Sequence, residues 1–219
     1  MLPARRTAAI NQAASITMGA NSSGIVTGRV PNGGNAMLKK ILLGFAALVV
    51  VFLIVVAIQP NEYRIARTAA VAAPPDRVFA QVNDFHNWEA WSPWAKLDPN
   101  AKATFEGPRS GQGAIFIWAG NDEIGEGRMT LTESRPNDLI RIKLDFVKPM
   151  EGTSDVEFTF KPQGDQTNVT TNVTWAMSGR HTFISKAICL FMNQDKMLGG
   201  YFEKGLASLK TVVEAPRKT

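Results

Sequence analysis

Between Lys40 and Glu62 the chain carries no charged residue, and the centre of that span, Ile41–Ile58, reads ILLGFAALVVVFLIVVAI. At about 1.5 Å per helical residue, such a run approaches the ~30 Å hydrocarbon core of a bilayer. A helix packed on a soluble core shows a polar stripe, and this run has none. Lys39 and Lys40 would also suit the start of a signal peptide. The run is long for that role, however, and Gln59-Pro60-Asn61-Glu62-Tyr63 offers no small-x-small cleavage site. The segment therefore reads as an uncleaved single-pass anchor. It divides the chain into a tail (1–36), a transmembrane anchor (37–60), one folded domain (61–215) and a short end (216–219).

The formal charge of +5 belongs to the tail. Arg5, Arg6, Arg29, Lys39 and Lys40 precede the anchor without a single acid, whereas from Tyr63 onward 19 Lys and Arg face 18 Asp and Glu. A nearly neutral domain gives no footprint for nucleic acid. Residues 1–36 are rich in Ala, Ser, Asn and Gly, show no sustained periodicity, and read as disordered. Met37-Leu-Lys-Lys resembles a natural start, which makes an over-extended gene start the alternative; an organelle transit peptide ranks below it. Cations abutting the anchor place the N-terminus in the cytoplasm and the domain outside it, with Arg64 and Arg67 diluting the bias.

Past the anchor the periodicity is legible. Tyr63–Val71 is expected to be a strand leaving the membrane. Pro74-Pro75-Asp76 then opens a helix that buries Val78, Phe79 and Val82, since proline and an acid both suit a first turn. Asn83–Trp94, with three tryptophans and the stop Ser92-Pro93, reads as a short second helix and a turn. Its rings are either core or a rim over a pocket mouth. Strands are expected at Ala114–Trp118, Arg128–Glu133, Leu139–Phe146, Asp155–Lys161 and Thr167–Met177. In the last three, apolar and polar residues alternate as in antiparallel strands with one wet face. Ile115/Ile117 and Phe116/Trp118 point to opposite faces, and the pattern leaves open which pair points in. The helical period returns at Phe183–Met192, and again from Asp195 with Leu198, Phe202, Leu206, Leu209 and Val213 on one face; Pro216 ends it. Gly199, Gly200 and Gly205 cost that helix propensity, so close approach to the sheet or room for a ligand is expected where they pack.

Chemistry-bearing motifs are sparse. The single cysteine, Cys189, permits no intrachain disulfide and lies among apolar neighbours as a packing residue. No Cys/His spacing suits zinc. His86, between Asp84 and Glu89, has the make-up of a general base but fits a capping residue better, and His181 fits a loop. Gly111-Gln-Gly113 and Gly125-Glu-Gly127 lack the following helix of a phosphate loop. Neither a metal nor a cofactor is implied.

The order strand, two helices, antiparallel strands and long last helix, together with Pro75-Asp76-Arg77-Val78-Phe79, Asn87-Trp88 through Trp91-Ser92-Pro93-Trp94, Gly125-Glu126-Gly127 and Phe202-Glu203-Lys204-Gly205-Leu206, resembles the START-like SRPBCC superfamily. The likeness is to its membrane-anchored bacterial branch, often called polyketide cyclase/dehydrase-like, and covers about 63–214. It implies an α+β helix-grip fold in which a curved antiparallel sheet wraps around the C-terminal helix, with a cavity between them. It further implies a bacterial inner-membrane location. Cavity-lining candidates are Trp88, Trp91, Trp118, Met129, Ile142, Leu144, Phe158, Trp175, Met177, Met197 and Phe202, with Met supplying adaptable apolar surface. The expected function is binding of an apolar or amphipathic small molecule, lipids included, without catalysis. The expected partners are thus the bilayer and that ligand. The superfamily also hosts cyclase- or dehydrase-like enzymes and protein-interaction modules, and fold alone does not choose among them.

Overall fold

The computed structural model describes residues 33–164 and 169–216. The proposed tail thus lies outside the described residues up to position 32, as do Asp165–Asn168 and the last three positions. The apolar run forms α1 (Gly33–Ala57), which begins ahead of Met37. The chain divides into two compact units between Ala47 and Leu48, so the last turns of α1 belong with the domain that follows.

That domain contains β1 (Glu62–Val71), α2 (Pro75–Asn83), a 3₁₀ helix (Phe85–Ala90), β2 (Lys102–Glu106), β3 (Ile115–Ala119), β4 (Glu126–Arg135), β5 (Leu139–Lys148), β6 (Gly152–Gln163), β7 (Thr170–Arg180), α3 (Phe183–Cys189) and α4 (Gln194–Glu214). The strands form one curved seven-stranded antiparallel sheet in the order β1-β7-β6-β5-β4-β3-β2. With α4 lying on the sheet, this is the expected α+β helix-grip architecture.

Alternation assigns the two faces. Ile140, Ile142 and Leu144 of β5, Val156, Phe158 and Phe160 of β6, and Val173, Trp175 and Met177 of β7 are buried on the inner face. Register aligns them: Ile142 opposes Val156, and Phe158 opposes Trp175. The outer face carries a chain of ion pairs, Arg64–Glu157–Arg141–Glu133. Exposed pairs of this kind add little stability each; they keep that face wet.

α4 buries Phe202, Leu206, Leu209 and Val213, and Asn193 caps it by accepting the Lys196 amide. Two of its glycines are explained by close approach. A Cβ on Gly199 would fall within the Arg67 guanidinium, and one on Gly205 would come within 2.7 Å of the Trp175 ring. Gly200 faces open space. Arg67, an inner-face residue of β1, donates from Nε to Glu203 at 2.7 Å and from Nη2 to Asp195 at 3.0 Å. These bonds, Asp195's first, hold the Arg67 guanidinium above its ordinary pKa, and Arg67 holds the Asp195 carboxyl below its own.

One element is tighter than expected, and one strand was not expected at all. The second helix within Asn83–Trp94 is only a 3₁₀ helix, capped by the Asp84 carboxylate. The strand β2 lies on the sheet edge with all five residues exposed, so burial imposed no alternation on it.

Candidate functional site

The inner face has two parts. Over β6 and β7, the space beneath α4 is occupied by rings. Trp175 stacks on Phe202 at 4.5 Å between centroids and on Phe158 at 4.9 Å. Trp91 and Trp94 meet it edge-on at 5.7 and 5.6 Å, and Trp88 lies 4.7 Å from Trp91. Such edge-to-face and offset contacts are those that aromatic quadrupoles favour. Trp88 of the 3₁₀ helix and Trp91 at its C-terminal cap enter this cluster, and the last turn of α2 satisfies their N–H groups. Trp88 Nε1 donates to the Val82 carbonyl at 2.9 Å and Trp91 Nε1 to that of Gln81 at 3.4 Å. Trp175 differs. It is 2% exposed, and its buried Nε1 has no hydrogen-bond partner among the described residues. A buried unsatisfied donor costs about 1–3 kcal/mol, which makes this atom the one polar anomaly of the cluster.

Over β2–β5, α4 is absent and the inner face is only half covered. Here Phe116, Trp118, Met129 and Phe146 are partly buried and Phe105 is exposed. Phe105, Phe116, Trp118 and Phe146 follow one another at 5.3–6.0 Å, forming an aromatic wall across three strands. The open question at β3 is thereby settled: Phe116 and Trp118 point in. Trp118 is fixed by its N–H, which donates to the Ile124 carbonyl at 3.0 Å. Its ring lies flat across Gly127, where any Cβ would collide with it. Gly125 adopts φ +63° at the preceding turn. The two glycines of the Gly-Glu-Gly stretch thus serve the turn and the tryptophan.

Of the candidate residues, Trp88, Trp91, Phe158, Trp175 and Phe202 meet in the buried cluster. Ile142 and Leu144 are buried beside it on β5, and Met177 is buried where β7 pairs with Ile65 of β1. Trp118 and Met129 belong to the half-open wall. Met197 stands apart, exposed on the first turns of α4. Phe105, Phe116 and Phe146 complete the wall and were not among the candidates. Phe146 carried a signal, because it continues the alternation of Ile142 and Leu144.

An opening of about 270 Å³ adjoins the wall at Phe105, between the 3₁₀ helix and the β2–β3 loop, lined also by Phe85, His86, Pro108, Arg109 and Ala114 among others. His86 stacks on Phe105 at 4.0 Å, and its Nδ1 lies 2.7 Å from Asp84 Oδ1. Arg109 Nε donates to the other carboxylate oxygen of Asp84 at 3.1 Å. Burial pushes the Asp84 carboxyl up, but the bonds from His86 and Arg109 outweigh it and hold the pKa below the ordinary value. An imidazole oriented by a carboxylate has the arrangement of a general base. The same contacts also cap the 3₁₀ helix. His181 sits in the β7–α3 connection against Tyr63, where burial and then Lys186 push its pKa down. Among the described residues no cluster of His, Cys, Asp and Glu is arranged to hold a metal.

The model of one family, polyketide cyclase/dehydrase and lipid transport, matches residues 63–214. The chain belongs to this family. Membership makes the helix-grip domain a ligand-binding one. Solved structures of the same fold include protein CV1439 of Chromobacterium violaceum, at 16% identity and TM-score 0.50, over 72% of this chain and 100% of that one. A protein of Nitrosospira multiformis matches at 19% identity and TM-score 0.50, over 70% and 97% of the two chains. Truncated norcoclaurine synthase of Thalictrum flavum matches at 14% identity and TM-score 0.53, over 73% and 99%. At such identities the likeness concerns fold alone. No curated protein matches this polyketide cyclase/dehydrase-like chain in sequence. Its α1 contains one stretch, Asn35–Ala57, long and apolar enough to cross a membrane, a test that a signal sequence also passes.

Proposed function

We propose that this protein is a single-pass inner-membrane protein whose extracytoplasmic START-like domain binds an apolar or amphipathic small molecule, lipids included, without transforming it. The observation that carries the reading is the aromatic wall of Phe105, Phe116, Trp118 and Phe146, which α4 leaves half-covered. A wall of this kind offers stacking and apolar contact with little polar demand, as ligand sites do. Ile142, Leu144 and Met129 extend the apolar surface from the wall toward the buried cluster. The family's lipid-transport description supports the same class of ligand.

Native mass spectrometry of the full chain, released from gentle detergent after purification from its own cells, tests the reading. A reproducible adduct of lipid-like mass that is lost in Trp118→Ala is expected. A bare chain under conditions that preserve the fold would refute it. Orientation is tested by protease added to spheroplasts: digestion of the domain is expected, and protection until lysis would reverse the topology.

A second reading, an enzyme, rests on Asp84 and His86 beside the 270 Å³ opening. One neighbour of this fold is by name a synthase. Turnover of the bound molecule that is abolished by His86→Gln would favour it.

A further inference from the structure

α3 is inside out. Its one buried side chain is Lys186, at 7% exposure, whereas Phe183, Ile184 and Ile188 are exposed, as are Phe191 and Met192 just beyond it. The lysine reaches inward to the end of α1, its Nζ donating to the Ala57 carbonyl at 3.5 Å. A cation there suits the last carbonyls of a helix. The ring of Phe191, 80% exposed, lies 6.3 Å from that of Phe52. The apolar face of this segment therefore continues directly from the final turns of α1.

A second element reaches the same end. Register places the start of β1 beside the end of β7 (Glu62 with Arg180) and the start of β6 beside the end of β5 (Phe146 with Gly152). Ser154 of β6 opposes Gly179 of β7, so the β5–β6 turn and the α1 exit share one end of the sheet. That turn exposes Val147 and Met150 by about half. Phe105, exposed on the edge strand β2, lies in the same cross-strand row, through Phe116, Met129 and Leu144 to Ser154 and Gly179, and so near this end as well. Soluble surfaces seldom gather apolar side chains in one such patch.

We propose that the α3 segment and the β5–β6 turn seat in the lipid leaflet into which α1 runs, which brings the lower edge of the aromatic wall to the bilayer. This rests on the reading of α1 as a membrane span. The occupant is a lipid surface because the patch is continuous with that span, and because the depths agree. Phe52 lies five residues before the end of α1, which at ~1.5 Å per residue is about 8 Å below that end. Interfacial helices bury their apolar faces about 5–10 Å into the headgroup–acyl boundary. Phe191, beside Phe52, is thus placed at that boundary. Phe146 of the wall is followed at once by Val147, so an apolar track leads from the leaflet to the inner face.

The test uses the full chain in phosphatidylcholine vesicles, with and without acyl-chain nitroxide lipid. In a Cys189→Ser background, bimane is attached at Met150→Cys, Ile184→Cys or Phe191→Cys. Leu48→Cys reports the span and Lys161→Cys the opposite end of the sheet. Blue-shifted emission and loss of intensity to nitroxide lipid are expected at 48, 150, 184 and 191, with neither at 161. Quenching at 48 but not at 150, 184 and 191 overturns the docking and leaves the anchor standing. A blue shift at those three sites without lipid quenching means that a protein covers the patch, and also overturns it. No quenching at 48 overturns the anchor reading and the docking with it.

Discussion

Replacing Trp175 separates the contribution of its ring from that of its N–H. The ring is enclosed by Phe158, Phe202, Trp91 and Trp94, with Gly205 against its edge. Trp175→Ala removes an indole from a site whose neighbours, anchored on separate strands and helices, collapse poorly. A cost of roughly 3–5 kcal/mol follows, or a fall in midpoint of about 6–20 °C for a domain of this size. Trp175→Phe removes about a third of the ring, roughly 60 Å² of apolar surface, and costs about 1.5 kcal/mol at ~25 cal/mol per Å². It also deletes the unsatisfied donor, returning about 1–3 kcal/mol. The two effects nearly cancel, so Trp175→Phe should be near-neutral without ligand. Near-ultraviolet circular dichroism on heating, in detergent, follows the aromatic cluster directly. Equal destabilisation by Phe and Ala would refute the assignment of an unsatisfied donor. A small effect of Ala would refute the filled cluster.

Two further outcomes follow from the contacts around α4 and the 3₁₀ helix. Gly199→Ala drives a methyl group into the Arg67 guanidinium; the steric cost of overpacking, about 1–3 kcal/mol, should exceed the gain of up to about 1 kcal/mol in helix propensity and lower the thermal midpoint. A raised midpoint would mean that Arg67 swings away freely. Asp84 and Asp195 have folded pKa values below the unfolded value near ~3.9, so below that range the unfolded chain binds protons that the folded one refuses. Their contribution is fully present above about pH 5 and is lost as pH falls through their folded values. Stability measured between about pH 5 and 2 should decline, and decline less in Asp84→Asn, which still caps. An unchanged slope in that variant would remove Asp84 from the account.

The strands with one wet face were legible because burial enforces alternation: β5, β6 and β7 were read with their inward residues correct. So was the buried stripe of α4. The edge strand β2 was not, because nothing covers it and its five residues are free of that constraint. The inward pair on β3 stayed ambiguous because all five of its residues are apolar, and only pairing with β4 assigns Phe116 and Trp118 to the inner face. The glycines of α4 were read as marking close approach or room for a ligand; that a guanidinium approaches one and an indole another depends on β1 and β7 and cannot be seen along the helix. For the site, the candidates joined Trp88, Trp91 and Trp175, which meet in the buried cluster, with Trp118, which stands in the wall, and left out Trp94. They did not separate the rings that fill the space under α4 from those left half-open beyond it, since that difference is where one helix stops covering a sheet.

The pairing of β1 with β7 sets an order of events. Arg180 donates across to Glu62, 118 residues earlier, while β2 to β6 each pair with the next strand in sequence. During synthesis the six later strands can zip as successive local hairpins, each closing a short loop at little entropic cost. The first strand waits. From the time it emerges until β7 is made, the segment next to α1 has no neighbour on the sheet, and Arg67 has neither Asp195 nor Glu203. The stretch of the domain first to leave the ribosome is therefore among the last to be locked, and its closure joins the two ends of the domain in one step.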